Sequence, residues 1–147
     1  MTNKDKQKTI PSVELNASFN AMSGKELRQY VLNYVKTHLS GNTIVNEDTK
    51  LSIKITVASG RKTAMGGAIY KKKAIVIHIL PELIRFAVLN NFGNRKGTDS
   101  NNTIGYLNFK ARCYINNKLE HVRISVQMQK GGYFYYNLEI NKIEFAR

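Results

Sequence analysis

Apolar residues recur along this chain first with a helical period. Residues 1–20 are polar and aperiodic, and we expect them to form a flexible N-terminal segment. Ser23 and Glu26 then have the spacing of a capping box, in which each side chain satisfies a backbone donor of the other residue. Apolar side chains follow at i, i+3, i+4, i+7 and i+8, namely Leu27, Tyr30, Val31, Tyr34 and Val35. This spacing predicts an amphipathic helix that ends near Gly41.

From Lys50 the apolar period shortens to two. Leu51, Ile53, Ile55 and Val57 alternate with polar residues, which predicts a half-buried strand. Residues 74–80 are almost continuously apolar, which fits either a buried strand or the start of a helix.

A second helix is predicted around Pro81, which suits a first helical turn. The residues with helical spacing are Leu80, Leu83, Ile84, Ala87 and Val88. Gly93 fits a C-terminal cap, and residues 93–102 are a loop by composition. His78 lies within the apolar run, where we expect a hydrogen-bonded core histidine.

Three strand-like runs close the sequence at 103–115, 119–129 and 133–140. Asn116-Asn117 predicts a two-residue hairpin loop, because Asn tolerates positive φ, and Lys130-Gly131-Gly132 predicts a three-residue loop. The pattern therefore predicts an α+β fold: one or two N-terminal helices on one face of a curved, mainly antiparallel sheet that ends in a three-stranded meander. We expect residues 21–147 to form a single basic domain.

The predicted hairpins fix which side chains face each other. The first loop sets Lys110 opposite Arg123 and Arg112 opposite His121. The second sets Ser125 opposite Asn137 and Arg123 opposite Glu139, unless a bulge shifts the last pairing by one residue. If the helices cover the apolar face, the other face carries Lys110, Arg112, His121, Arg123, Ser125, Gln127, Tyr135 and Asn137.

Two interpretations of this polar face remain open. Like charges opposite each other destabilise a sheet, so the face is suited to an anion, and its tyrosine rings are suited to single-stranded nucleic acid. Alternatively it is the wet side of an antiparallel sheet, with Arg123 and Glu139 as an ordinary cross-strand pair.

The distribution of charge favours a polyanionic partner. The net charge is +13, and residues 49–119 hold thirteen Lys and Arg residues against Glu82 and Asp99. A surface with one sign of charge attracts phosphate backbones. The stretch TVASGRKTAMGGAIYKKKAIVIH contains five of these cations around several glycines, namely Arg61, Lys62, Lys71, Lys72 and Lys73.

Composition excludes several other classes. One cysteine, Cys113, allows no internal disulfide, and without a Cys and His cluster we expect no metal and no cofactor. The apolar runs are too short to cross a bilayer and the N-terminus has no signal-peptide core, so we expect a cytoplasmic protein without a membrane partner. SGRKTAMGG lacks the arrangement of a phosphate-binding NTPase loop.

Five segments carry a resemblance to a known family: NEDTKLSIKIT, SGRKTAMGG, LPELIRFAVLNN, YLNFKARCYINNKLEHVRISVQM and GGYFYYNLEI. Over about residues 43–141 their order resembles the large polyvalent protein-associated domains of phage and mobile-element polyproteins in gut bacteria. Those domains are grouped with the barnase, EndoU, colicin and RelE-like nuclease fold. The resemblance implies two helices on a curved sheet, a phage-encoded origin with a bacterial host cytoplasm as the setting, and a metal-independent endoribonuclease.

Such an enzyme drives the 2′-hydroxyl onto the adjacent phosphate, which requires a base, an acid and cations. By the resemblance, Arg61, Lys62, Arg123 and Ser125 contact phosphate, while Tyr135 and Asn137 lie in the closing strand. That strand contains no histidine, so His121 or Tyr135 is the expected proton carrier.

We therefore expect RNA or single-stranded nucleic-acid binding, with metal-independent RNA cleavage as an open addition. The expected catalytic residues are His121, Arg123, Ser125, Tyr135 and Asn137. The expected nucleic-acid-binding residues are Lys54, Arg61, Lys62, Lys71, Lys72, Lys73, Lys110 and Arg112. The alternatives are a non-catalytic nucleic-acid-binding module and a module that binds an acidic protein.

Overall fold

The computed structural model describes residues 7–57, 67–97, 99, 101–138 and 143–146. Its helices are α1 (Ala17–Asn20), α2 (Gly24–Tyr34), α3 (Gly67–Ile75) and α4 (Leu80–Phe86). Its strands are β1 (Ser12–Val13), β2 (Thr43–Val45), β3 (Ser52–Val57), β4 (Val88–Asn94), β5 (Thr103–Ile115), β6 (Lys118–Gln129), β7 (Tyr133–Leu138) and β8 (Glu144–Ala146).

The first long helix begins and ends where the sequence predicts. Ser23 Oγ accepts from the Glu26 amide at 3.1 Å, and Glu26 Oε1 accepts from the Ser23 amide at 2.9 Å, which completes the capping box. A π-helical turn, Val35–Leu39, extends α2 towards Gly41, whose φ of 85° suits glycine.

The described strands form one eight-stranded mixed sheet with the order β1-β5-β6-β7-β3-β2. β4 also pairs with β5, and β8 also pairs with β6. The closing strands form the predicted antiparallel meander, but β7 then pairs in parallel with β3, from Ile53↔Phe134 to Val57↔Leu138. The fold is α+β, with the helices on one face of a curved, mainly antiparallel sheet.

The core lies between the helices and the apolar face of the sheet. Leu27 of α2 and Leu83 of α4 are fully buried, as are Ile55 of β3 and Val126 of β6. Because successive strand residues point to opposite faces, the polar residues of the same strands lie on the face away from the helices.

The apolar stretch at 74–80 is helical, which resolves the open alternative. α3 passes into a short 3-10 turn, Val76–Ile79, and then into α4. This stretch is buried at Ala74–Ile77, so its continuous hydrophobicity comes from a helix packed in the core.

The predicted end of the second helix is wrong. α4 ends at Phe86, Val88 begins β4, and Gly93 lies within that strand instead of capping a helix. The reason is a tertiary contact: Asn46 Nδ2 donates to the carbonyls of Ile84 and Ala87 at 2.7 and 2.9 Å. The following backbone then pairs with β5 from Val88↔Lys110 onwards.

Residues before α2 also form elements that the sequence pattern does not predict. β1 pairs in parallel with the end of β5, and α1 buries Phe19. The Gln7 side chain donates to the Arg112 carbonyl at 2.9 Å and accepts from the Arg112 amide at 2.7 Å. Among the helices of the described residues, none is long and apolar enough to cross a membrane.

Candidate nucleic-acid interface

The two hairpins set the register of the polar face. Asn116 and Asn117 have φ values of 50° and 65°, and Gly131 and Gly132 have φ values of 91° and 83°. These are the left-handed conformations that the tight turns require. The predicted pairs Lys110↔Arg123 and Arg112↔His121 are both confirmed.

On the side away from β5, strand β6 pairs with two different strands. Its C-terminal part pairs with β7 at Gln127↔Tyr135 and Gln129↔Tyr133, whereas its N-terminal part pairs with β8 at Arg123↔Glu144. Between these ladders β7 remains paired with β3 instead of β6. The sheet therefore forks between Arg123 and Gln127 of β6, where β7 and β8 separate.

The predicted cross-strand partner of Arg123 is thereby corrected. Glu139 lies outside the described residues, and the acid placed opposite Arg123 is Glu144 of β8. Their nearest charged atoms are 4.0 Å apart, and both side chains are about 60% exposed (60% and 62%), so water screens this pair strongly. The predicted pair of Ser125 and Asn137 is not part of the described β6–β7 ladder, which ends at Gln127↔Tyr135, although both residues line the same cavity.

A polar cavity of about 190 Å³ occupies this fork, and we call it the fork pocket. Strands β6 and β7 supply its two walls, with Arg123, Ser125 and Gln127 on one side and Tyr135, Tyr136 and Asn137 on the other. Four of the five predicted catalytic residues are thus brought together. The exception is His121, which lies further along β6.

The rim of the fork pocket contains residues that the sequence analysis did not select, namely Lys96, Tyr106 and Glu144. Tyr106 donates to Asp99 Oδ1 at 2.7 Å, and Lys96 Nζ lies 5.5 Å from the centre of the Tyr106 ring. Tyr106 was detectable from strand parity, because it shares the polar face with Asn108. Lys96 and Glu144 depend on chain folding that no local pattern reveals.

Two tyrosines of the pocket are held in the protonated form. Burial raises the pKa of Tyr136, and the carboxylate of Glu144 raises it further. Burial is also the main reason that the pKa of Tyr106 is raised. Tyrosine hydroxyls are protonated at neutral pH in any case, and the raised pKa values keep these two protonated further into the alkaline range.

The fixed positions of Ser125 and Asn137 come from their neighbours. Ser125 Oγ donates to Asn108 Oδ1 at 3.0 Å, and the Asn108 amide donates to Asn91 Oδ1 at 2.9 Å. Thr56 Oγ1 lies 3.4 Å from the side-chain oxygen of Asn137. Residues from three strands, β3, β4 and β5, therefore orient the polar groups at the fork.

A second cavity, which we call the basic pocket, lies at the other end of the same face. It has a volume of about 220 Å³, and three of its lining residues are Lys110, Arg112 and His121. Gln7, Val88 and Asn90 help to close it. The basic pocket and the fork pocket are separated by Lys110 and Arg123, which are opposite each other and both exposed.

Lys54 lies at a third cavity of about 270 Å³, which it shares with Tyr133 and Tyr135. Lys54 is paired in register with Tyr135 on the neighbouring strand. The two tyrosine rings are 6.4 Å apart between centroids and 25° from parallel. Tyr133 is 60% exposed, which leaves a ring surface at the end of the polar face.

The three lysines of α3 do not join this face, because α3 packs on the opposite side of the sheet. Lys71 Nζ donates to the Asn20 carbonyl at 2.6 Å, and Lys72 Nζ lies 2.5 Å from the carboxylate of Glu120. Lys73 belongs to the same helix. The predicted candidates Arg61 and Lys62 lie outside the described residues.

The helical layer contains a separate aromatic cluster. Tyr30 Oη and His78 Nε2 are 2.6 Å apart, and the Tyr34 ring lies 4.7 Å from the His78 ring. Burial lowers the pKa of His78, and His38 contributes to the same shift. The predicted hydrogen bond of His78 is therefore confirmed, while its side chain is half-buried instead of fully inside the core.

Comparison with known proteins gives one family. The family model described as Large polyvalent protein-associated domain 3 matches residues 22–136. The matched span covers β6 and most of β7, and it ends before Asn137 and Glu144. No curated protein and no solved structure matches the chain.

Proposed function

The chain belongs to the family of Large polyvalent protein-associated domain 3, and we propose that it binds RNA or another single-stranded nucleic acid on the polar face of its sheet. The observation that carries the proposal is the pairing of Lys110 with Arg123, next to Arg112 and the fork pocket. Like charges directly opposite each other cost stability, and a phosphate bound between them would relieve that cost.

The charge of this face supports a phosphate ligand. Lys54, Lys110 and Arg123 are exposed on three strands of one surface. Neutralising several phosphates by such cations releases counterions, so the affinity should fall steeply as salt increases.

The uncharged part of the face supports contact with unpaired bases. Tyr133 and Tyr135 present neighbouring rings, and Gln127 is directly opposite both Tyr106 and Tyr135 on the flanking strands. Aromatic rings stack with bases of any sequence, whereas amide side chains bond to base edges.

RNA cleavage is a second candidate, and a specific arrangement favours it. Arg123, Ser125, Tyr135 and Glu144 line one pocket. In this reaction the 2′-oxygen forms a bond to phosphorus, its proton passes to a base, and the bond from phosphorus to the leaving 5′-oxygen breaks as an acid protonates that oxygen. Glu144 would accept the proton, Arg123 would hold the phosphate, and Tyr135 would supply the proton. The barnase-like nuclease fold is part of this second candidate.

The proposed setting is the cytoplasm of a bacterial cell, with a phage or mobile element as the source. An acidic protein is the rival partner, because a carboxylate-rich surface would also complement Lys110 and Arg123. That rival predicts salt-sensitive binding to a protein without affinity for nucleic acid.

The test is binding of labelled single-stranded RNA, with EDTA present, at about 50 and 200 mM salt. We expect weaker binding at the higher salt, and Arg123→Gln should reduce the salt slope by about one. Lys25→Gln, a change on the helix face, is the matched control and should leave the slope unchanged. Equal affinity of the wild type and Arg123→Gln at both salt concentrations would refute the proposal.

The same assay, with Glu144→Gln added as a further variant, tests cleavage. Products with 2′,3′-cyclic phosphate ends, formed in EDTA and lost in Glu144→Gln, would establish the nuclease. RNA that stays intact while bound would leave a binding module.

A further inference from the structure

Strand β6 presents one polar side chain every second residue along the polar face. In order these are His121, Arg123, Ser125, Gln127 and Gln129. From His121 to Gln127 the strand covers about 20 Å, and each two-residue step covers about 7 Å. That step is comparable to the separation of successive phosphates in an extended single strand.

The chemistry changes along this row. At one end, the basic pocket brings together Lys110, Arg112 and His121. At the other end, Gln127 belongs to a row of cross-strand neighbours on four strands. The row runs from Tyr106 through Gln127 and Tyr135 to Lys54. One end is therefore suited to phosphates and the other to an unpaired base.

In the part of the chain that the structure describes, the two pockets adjoin through one cross-strand pair. Lys110 lines the basic pocket, Arg123 lines the fork pocket, and the two residues are directly opposite each other. A chain of phosphates can therefore pass from one pocket to the other over a continuous line of cations.

We propose that one nucleic-acid strand lies along β6 and occupies both pockets, with a footprint of about four nucleotides. An unpaired base stacks at Tyr135 beside the fork pocket, and the phosphates that follow cross Lys110 and Arg123 into the basic pocket. This inference rests on the proposed function and specifies its ligand as a short single strand. A duplex is disfavoured, because its bases are already stacked and cannot be laid on Tyr135.

The experiment measures the affinity of labelled RNA strands of two, four, six and eight nucleotides at fixed salt. We expect the affinity to rise steeply between two and four nucleotides and only slowly afterwards. An eight-base-pair duplex should bind more weakly than the eight-nucleotide strand. Affinity that rises evenly to eight nucleotides, or a duplex that binds as tightly as the single strand, would overturn the footprint.

Two variants examine the two ends separately. Tyr135→Leu removes the ring but keeps apolar bulk, and it should weaken four-nucleotide binding roughly ten-fold with little change in the salt slope. Lys110→Gln should instead lower the salt slope by about one. Lys25→Gln, on the exposed part of α2, is the control and should bind like the wild type. Tyr135→Phe keeps the ring and should retain more affinity than Tyr135→Leu; equal loss in the Phe and Leu variants would contradict stacking.

Photo-crosslinking gives an independent readout. A four-nucleotide RNA with 5-iodouridine at one terminus should crosslink to the peptide containing Tyr135, and the same RNA labelled at the other terminus should not. Crosslinking from both termini would overturn the fixed path along β6. If the chain shows no salt-sensitive affinity for any nucleic acid, the proposed function itself fails, whereas binding without these differences removes only the footprint.

Discussion

Lys110 of β5 and Arg123 of β6 are directly opposite each other on the polar face, and both side chains are exposed. Two cations in this relationship repel, and such a pair typically costs about 0.2–1 kcal/mol. We therefore expect Lys110→Gln to raise the free energy of unfolding by an amount in that range while it weakens RNA binding. Urea denaturation and RNA titration of one preparation measure both effects.

A gain in stability combined with a loss of RNA affinity would show that the Lys110–Arg123 pair serves binding and not the stability of the fold. Lys25→Gln, on the exposed part of α2, should change neither quantity. A Lys110→Gln protein that loses stability would show that Lys110 has a structural role.

The side chain of Asn46 joins the turn after β2 to the end of α4, and a change there should destabilise the fold. Asn46 is fully buried, donates to two carbonyls, and accepts from the amide and the hydroxyl of Thr49 at 2.9 Å each. Asn46→Ala leaves these groups unsatisfied, so the free energy of unfolding should fall by roughly 2–4 kcal/mol.

Chemical denaturation measures this loss, and Asn42→Ala is its control. Asn42 is exposed and donates to the His38 carbonyl at 2.6 Å. Its replacement should cost less than about 1 kcal/mol. Equal losses in the two variants would contradict the role assigned to Asn46.

Cys113 should resist alkylation in the folded protein. The side chain is fully buried, and burial together with the nearby Glu120 raises the pKa of its thiol to about 11. At pH 8 roughly one thiol in a thousand is then ionised, and the reactive form is the thiolate. Iodoacetamide treatment followed by mass measurement should label the protein in strong denaturant and leave it largely unmodified in buffer; comparable rates would contradict the buried position.

The stability of the fold should decrease in mild acid because of His78. Burial, with a contribution from His38, lowers the pKa of His78 below its ordinary value of 6.5. Below about pH 6.5 the unfolded chain therefore binds more protons than the folded one, so stability is lost as the pH falls from the unfolded pKa through the lower folded pKa.

Thermal unfolding at pH 7.0 and 5.5 tests this dependence. Part of the decrease in melting temperature should disappear in His78→Gln, which cannot gain a proton. His121→Gln is the matched control, because His121 is exposed, and it should keep the full decrease. An unchanged pH dependence in His78→Gln would assign the effect to other groups.

Local pattern is sufficient for the meander and its register. Alternation placed β5, β6 and β7 correctly, because a strand with one buried face must keep its apolar residues on that side. The turn residues Asn116, Asn117, Gly131 and Gly132 adopt the positive φ values that tight loops need, which confirms the pairing of Lys110 with Arg123. The capping box was equally predictable, since its two partners, Ser23 and Glu26, are only three residues apart.

Local pattern fails where a distant contact decides the structure. Helical spacing extends to Val88, yet Asn46 binds the last carbonyls of α4 and β5 offers a pairing edge, so the chain turns into β4. The sequence predicts that the lysines of α3 form part of a basic surface. The packing of that helix instead brings Lys72 to Glu120, on the opposite face of the sheet from Arg123.

The sequence by itself therefore determined the α+β class, the two-sided sheet and the cations of its polar face, because strand periodicity and turn chemistry act over a few residues. The tertiary structure alone decided the fork pocket. That pocket exists because β7 stays with β3 while β8 takes up the edge of β6, which brings Glu144 beside Arg123. The choice of a strand partner depends on long-range hydrogen bonding and core packing, which no short stretch of residues encodes.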